Sequence, residues 1–169
     1  MESKLNLVIV GMPGCGKSHV GKLVAKTLDR EFIDLDAVVV KNAGMSIPEI
    51  FAKFGEPRFR ELERTAAEEV AKRKNVVIAT GGGTIVQPGA PELFRATGKI
   101  CYLKRPLEEL QTAHGRPLSS DRKAVEKLYA ARREKYEAAA DFTVENTGVA
   151  PEEAARQVAA AFLKYLREN

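Results

Sequence analysis

The run Gly11-Met12-Pro13-Gly14-Cys15-Gly16-Lys17-Ser18 has the spacing G-x-x-x-x-G-K-[ST]. Glycines so placed let the main chain fold around an anion. Successive N–H groups then face it, and the positive end of the following helix adds its dipole. Lys17 is spaced to reach the β- and γ-phosphates of a nucleotide and Ser18 to ligate Mg²⁺. Gly11, Pro13, Gly14, Cys15, Gly16, Lys17, Ser18 and His19 form the expected ATP-binding stretch. Cys15 holds an unconstrained position of the motif and is read as a loop member, not a reactive thiol.

Many nucleotide hydrolases with such a loop carry a second strand ending in Asp, but here Val76–Thr80 runs into Gly81-Gly82-Gly83. The acid must come from elsewhere, and Asp34 and Asp36 close the segment Phe32-Ile33-Asp34-Leu35-Asp36. In an extended chain both point to one face, with Cα atoms about 6.5–7 Å apart. That separation suits a division of labour: one carboxylate serves the magnesium shell and the other holds an acceptor hydroxyl. The alternative is a pair that caps the next helix.

Arginine inside an apolar stripe calls for a partner. Over Val125–Ala140 helical spacing gathers Val125, Leu128, Tyr129, Tyr136, Ala139 and Ala140 on one face with Arg132 at its centre, while Arg133 turns away. Arg132 is therefore expected to meet an anion, or else a buried ion-pair partner. Over Arg58–Arg73 the stripe is Phe59, Leu62, Ala66 and Val70, with Glu63 inside it and Arg60 on its flank. Arg60 and Glu63 make either a plain i,i+3 pair or a guanidinium aimed by its carboxylate at a substrate anion. Gly81-Gly82-Gly83 permits close approach of a ligand to the main chain or serves as a flexible turn. Leu110–Arg122, with Gly115, Arg116, Pro117, Ser119 and Ser120, reads as a lid whose Arg116 meets the transferring phosphoryl group. Arg105-Pro106-Leu107 fits a helix start instead.

These groups need a frame. Leu5–Val10, Phe32–Leu35, Val76–Thr80, Ile100–Leu103 and Phe142–Val144 are short runs, and the first, third and fourth are almost continuously apolar, as for strands covered on both faces. Helical stripes lie between and after them. Val20, Leu23, Val24 and Leu28 follow Lys17, and a second stripe runs from Pro151 through Ala155, Val158, Ala159, Phe162 and Leu166. Alternation of this kind predicts a parallel sheet with right-handed crossovers and ligands at the carboxyl ends of the strands. The 169 residues amount to one domain, 1–169. A net charge of +4 without any Lys/Arg block favours small anions over nucleic acid. Two Cys and two His assemble neither a disulfide framework nor a zinc site, and no apolar run is long enough for a membrane span. Cytoplasm is the expected location.

Taken in order, Gly11–Ser18, Asp34-Leu35-Asp36, Gly55-Glu56-Pro57-Arg58-Phe59-Arg60-Glu61-Leu62-Glu63, Gly81-Gly82-Gly83, Arg116-Pro117-Leu118 and Arg132 four residues before Tyr136 resemble the shikimate kinase family, across essentially the whole chain. The resemblance implies a three-layer α/β/α P-loop kinase fold, similar to nucleoside monophosphate kinases, with a five-stranded parallel sheet in the order 2-3-1-4-5. It implies transfer of the ATP γ-phosphate, with Mg²⁺, to the 3-hydroxyl of shikimate, in the chorismate route to aromatic amino acids. Lys17, Asp36 and Arg116 would be catalytic. Ser18 and Asp34 would support the metal, and Arg116 would also meet ATP. Asp36, Phe59, Arg60, Gly81, Gly82, Gly83 and Arg132 would bind shikimate, the two arginines clamping its carboxylate. The substrate-binding segment would run over about 36–63 and the lid over about 110–122, in a monomer. One departure is that Leu110-Gln111-Thr112 stands where the family often has Arg-Thr. Two other readings are open: a related kinase for gluconate or a nucleoside monophosphate, or an ATP-binding module without catalysis.

Overall fold

The computed structural model describes residues 3–110, 121–148 and 150–168. Gln111, Arg116, Pro117 and Leu118, and with them most of the expected lid, lie outside the described residues.

Five parallel strands, β1 (Asn6–Val10), β2 (Glu31–Asp34), β3 (Val76–Ala79), β4 (Gly98–Lys104) and β5 (Phe142–Glu145), form one sheet in the order β2-β3-β1-β4-β5. This is the expected order. Every residue of β1 and β3 is buried, which is why these strands read as unbroken apolar runs. Asn6 is the polar exception in β1. Its side chain donates to Arg73 O at 2.8 Å and accepts from Val76 N at 3.1 Å, tying the start of β1 to the start of β3.

Helices flank the sheet: α1 (Lys17–Thr27), α2 (Leu35–Ala43), α3 (Ile47–Ala71), α4 (Ala90–Arg95), α5 (Arg122–Ala139) and α6 (Pro151–Glu168). The apolar stripes predicted after Lys17 and from Pro151 belong to α1 and α6, which pack on each other. Leu107–Glu109 forms a 3-10 turn after Pro106, in keeping with the helix start expected there.

The chain departs from expectation at two places. First, the extended segment ends at Asp34, and Leu35 already opens α2. The Asp34 carboxylate accepts the Asp36 N–H at 3.0 Å, so the residue caps the helix and stops the strand. Asp34 and Asp36 therefore do not share one strand face. Second, α3 is two helical pieces, and ahead of the one that carries Phe59 and Arg60 stands another that starts at a capping box in which the Ser46 hydroxyl accepts the Glu49 N–H and Glu49 reaches back to Ser46. The two meet at Gly55, whose φ of 78° is a left-handed conformation that suits glycine, two residues before Pro57. The break re-aims the chain so that Phe59, Glu63, Ala66 and Val70 face the core.

Candidate active site

The phosphate loop runs from the end of β1 to Gly16, which caps α1 with φ 95°. Lys17 is buried, and its ammonium donates to Gly11 O at 2.7 Å and Met12 O at 2.9 Å, inside the curve of the loop. From the other side Asn146, just beyond β5, donates to Cys15 O at 3.1 Å. The Thr80 hydroxyl after β3 donates to Ile9 O at 3.2 Å. Pro13, Gly14, Gly16, Lys17, Ser18, His19 and Thr80 line a cavity of about 190 Å³ at this point. His19 is exposed at the edge, and Cys15 is fully buried.

Ser18 and Asp34 meet directly: the hydroxyl donates to Asp34 Oδ2 at 2.8 Å, while Oδ1 of the same carboxylate caps α2. Two hard oxygen donors next to a phosphate loop fit Mg²⁺, which takes one or two protein ligands and completes its shell with water and phosphate. Among the described residues no three His, Cys, Asp or Glu side chains gather into a protein-only metal cage.

The three glycines after β3 have spatial reasons, each different. A Cβ on Gly81 would stand 2.8 Å from Asp36 Oδ1 and 3.1 Å from both Glu63 Oε2 and Thr84 Oγ1. On Gly82 it would lie 2.5 and 2.6 Å from Cγ and Cδ of Pro13, in the phosphate loop. On Gly83 it would lie 2.6 Å from both terminal nitrogens of Arg60 and 2.9 Å from Nη2 of Arg132. Six side chains thus converge on the three glycines, where an ordinary side chain would push them apart. The turn is a contact point, so the expectation of mere flexibility does not apply.

Arg60 is held on both edges. Its Nη1 donates to Glu63 Oε1 at 2.8 Å, and Nε and Nη2 both donate to Glu56 Oε2, at 3.3 and 3.1 Å. Its guanidinium carbon lies 5.2 Å from the ring centroid of buried Phe59, which in turn packs on Phe51. Glu63 also accepts from Thr84 Oγ1 at 2.9 Å. Burial pushes the Glu63 carboxyl above its ordinary pKa, against the opposing attraction of Arg60. Arg132 is buried on the apolar face of α5, and Arg133 is exposed, as the periodicity implies. The i,i+3 pair of Arg60 and Glu63 is formed, and the same guanidinium lies beside that of Arg132 at Gly83.

The predicted lid is anchored at its ends. Leu110 is buried and Arg122 opens α5, with Nη1 donating to Leu110 O at 2.5 Å and Nη2 to Leu107 O. Leu110 thus belongs to the core, and Arg122 ties the start of α5 to Leu107 and Leu110. Sequence reasoning missed Asn146, Thr80 and Thr84. Only Thr80 carried a signal, as a polar residue at the carboxyl end of an otherwise apolar strand.

A phosphate loop backed by the Ser18–Asp34 pair thus lies near two arginines that meet at Gly83. The family model for shikimate kinase matches residues 13–163. The chain belongs to the shikimate kinase family. Relatives named shikimate kinase include one from Caldanaerobacter subterraneus, 41% identical over 166 residues that cover 94% of this chain and 96% of the relative. Another, from Geobacter metallireducens, is 37% identical, covering 93% and 91%. A solved shikimate kinase from Acinetobacter baumannii, in complex with shikimate, superposes with a TM-score of 0.91 at 34% identity, covering 96% of this chain and 95% of that one. A gluconokinase from Sinorhizobium meliloti, at 13% identity and a TM-score of 0.60, shares the fold alone. As a member of this family the chain is a phosphotransferase with an alcohol acceptor that uses ATP with Mg²⁺. Among the described residues no helix is long and apolar enough to cross a membrane.

Proposed function

We propose that this chain transfers the γ-phosphoryl group of ATP to the 3-hydroxyl of shikimate, giving shikimate 3-phosphate and ADP. The observation that carries the reading is the approach of Arg60 and Arg132 to one another at Gly83, two residues from the point where Asp36 meets Gly81. A planar carboxylate fits between two guanidinium groups, and a ring bound there extends over the glycines toward Asp36 and the phosphate loop. Phe59 stiffens Arg60 from beneath, and Glu63 aims it.

On this reading the loop N–H groups and Lys17 hold the β- and γ-phosphates, and Ser18 and Asp34 hold Mg²⁺, Asp34 through water. Held there, Mg²⁺ would supply charge neutralisation for the phosphates. Phosphoryl transfer through a loose transition state asks little basicity of the acceptor, so Asp36 mainly orients the hydroxyl and takes its proton late. Arg116, which lies outside the described residues, would meet the transferring group. Residues 36–63 form the acceptor-binding segment of a single domain, and the enzyme works as a cytosolic monomer.

An ADP-release assay with shikimate, gluconate, AMP and CMP tests the acceptor. Turnover is expected with shikimate, and silence with it would overturn the reading. Asp36→Asn should lower kcat strongly with a modest change in the KM for ATP, and near-normal turnover would remove Asp36 from the mechanism. Lys17→Ala should damage ATP use itself.

A further inference from the structure

Arg132 and Tyr136 stand one helical turn apart, and the function proposed above uses only the first. Their i,i+4 spacing sets both on one face of α5, and the Arg132 guanidinium lies against the Tyr136 hydroxyl. Tyr136 is fully buried, its ring 5.3 Å from that of Tyr102 between centroids, and its hydroxyl donates to the carbonyl oxygen of Gly82. Burial raises the phenol's pKa far above its ordinary value, so it stays a neutral donor. Phenylalanine would fill the same space, so packing alone does not account for the oxygen.

The Gly82 carbonyl belongs to the peptide unit that joins Gly82 to Gly83, and both ends of this unit touch functional groups. Gly82 abuts Pro13 of the phosphate loop, and Gly83 abuts the guanidinium groups of Arg60 and Arg132. With no side chain on either residue, the orientation of the plane depends on what its polar atoms bond. Fixing the C=O also fixes the Gly83 N–H, which a planar trans peptide aims the opposite way. Arg132, Tyr136, Gly82 and Pro13 therefore form one continuous line of contacts from the arginine clamp to the phosphate loop.

We infer that Tyr136 is a positioning residue whose hydroxyl holds the Gly82–Gly83 peptide plane and so couples acceptor binding at the clamp to nucleotide binding at the loop. The inference rests on the clamp and loop roles proposed above. Coupling of this kind is reciprocal: nucleotide strengthens shikimate binding by the factor with which shikimate strengthens nucleotide binding.

The test is calorimetric titration of shikimate into the enzyme with and without ADP and Mg²⁺, together with steady-state kinetics, on the wild type, Tyr136→Phe, Pro13→Ala and Tyr102→Phe. Loss of one buried hydrogen bond predicts a rise of about three- to tenfold in the KM for shikimate in Tyr136→Phe, and a coupling factor falling toward one. Pro13→Ala, at the far end of the line and in the nucleotide-binding loop, should lower the coupling factor measured at saturating ADP, and an unchanged factor there would also overturn the inference. Tyr102→Phe deletes a neighbouring buried hydroxyl and should leave both quantities as they were. A coupling factor in Tyr136→Phe equal to that of the wild type, or a wild type with no coupling, overturns the inference. Should Tyr136→Phe fail to fold, Pro13→Ala decides alone. A wild type that does not turn over shikimate refutes the acceptor reading instead, and is seen before any variant is made.

Discussion

Replacing Glu56 by Gln should tighten shikimate binding, because Glu56 occupies the edge of Arg60 that a substrate carboxylate needs. Nε and Nη2 present the parallel pair of N–H bonds used in bidentate recognition, and both now point at Glu56 Oε2, at 3.3 and 3.1 Å. The other edge is bound to Glu63 at 2.8 Å, with a side chain only 3% exposed, whereas that of Glu56 is 47% exposed. An incoming carboxylate therefore displaces Glu56, which returns to water, and not Glu63, which would be left buried and unpaired. An exposed pair of this kind contributes about 0.2–1 kcal/mol. Removing the competing charge should lower the KM for shikimate by about 1.4- to 5-fold. The assay is ADP release with shikimate varied at saturating ATP, run at about 0.01 M and about 1 M salt, where the screening length changes tenfold. The advantage of Glu56→Gln should shrink at high salt. A KM that rises in the variant, or falls equally at both salt concentrations, would refute the reasoning, since Glu56 would then be aiming Arg60 and not competing for it.

Gly82→Ala and Gly83→Ala should part company in kinetics. The first drives a methyl into Pro13 and should raise the KM for ATP and cost about 1–3 kcal/mol of stability in a urea titration. The second meets the movable ends of two arginine side chains, so it should raise the KM for shikimate with a smaller loss of stability. Glu63→Gln should remove an acid limb from the pH profile of kcat/KM for shikimate. Burial raises the wild-type pKa above 4.5, and protonation there releases Arg60. The same raised pKa means that the folded state binds the proton more tightly than the unfolded state. The stability that this group contributes is therefore present below 4.5 and lost as pH rises through the folded value. Urea titrations should show the wild type losing stability relative to Glu63→Gln across that window. Asp34→Asn should separate capping from metal support, since Asn caps as well as Asp does. Stability should hold within about 0.5 kcal/mol, while the Mg²⁺ concentration for half-maximal activity rises, and Asp34→Ala should lose about 1 kcal/mol as well. Equal Mg²⁺ dependence in wild type and Asp34→Asn would detach Asp34 from the metal.

The sheet was legible because β1, β3 and β4 are covered on both faces, and double burial leaves no room for the alternation that makes strands ambiguous. The placement of Arg132 was legible for a similar reason: one cation among apolar residues at helical spacing has a single face to occupy. Less was visible between residues 35 and 57. Val38-Val39-Val40 is β-branched and reads as strand by propensity, yet it lies in α2, where the Asp34 cap and packing against α3 override it. Ser46-Ile47-Pro48-Glu49 did carry a helix-start signal, a capping box with proline in the first turn. The purpose of Gly81-Gly82-Gly83 was beyond the sequence, because the atoms that forbid a Cβ there come from Asp36, Pro13, Arg60 and Arg132, brought in by four separate segments.

Asp34 and Asp36 are given different partners by a local structure other than the expected strand. On a strand the two carboxylates would stand side by side and face the same partner. The helix start separates them instead: Asp34, still at the strand end, turns one oxygen to Ser18 and spends the other on the Asp36 N–H. Asp36, one residue into α2, is carried to Gly81 and the neighbourhood of Glu63 and Thr84. Leu35 between them is fully buried and fixes the corner in the core. The cap is thus compatible with the division of labour proposed above. The cap is what turns the chain, and the turn is what gives two carboxylates, two residues apart, different partners.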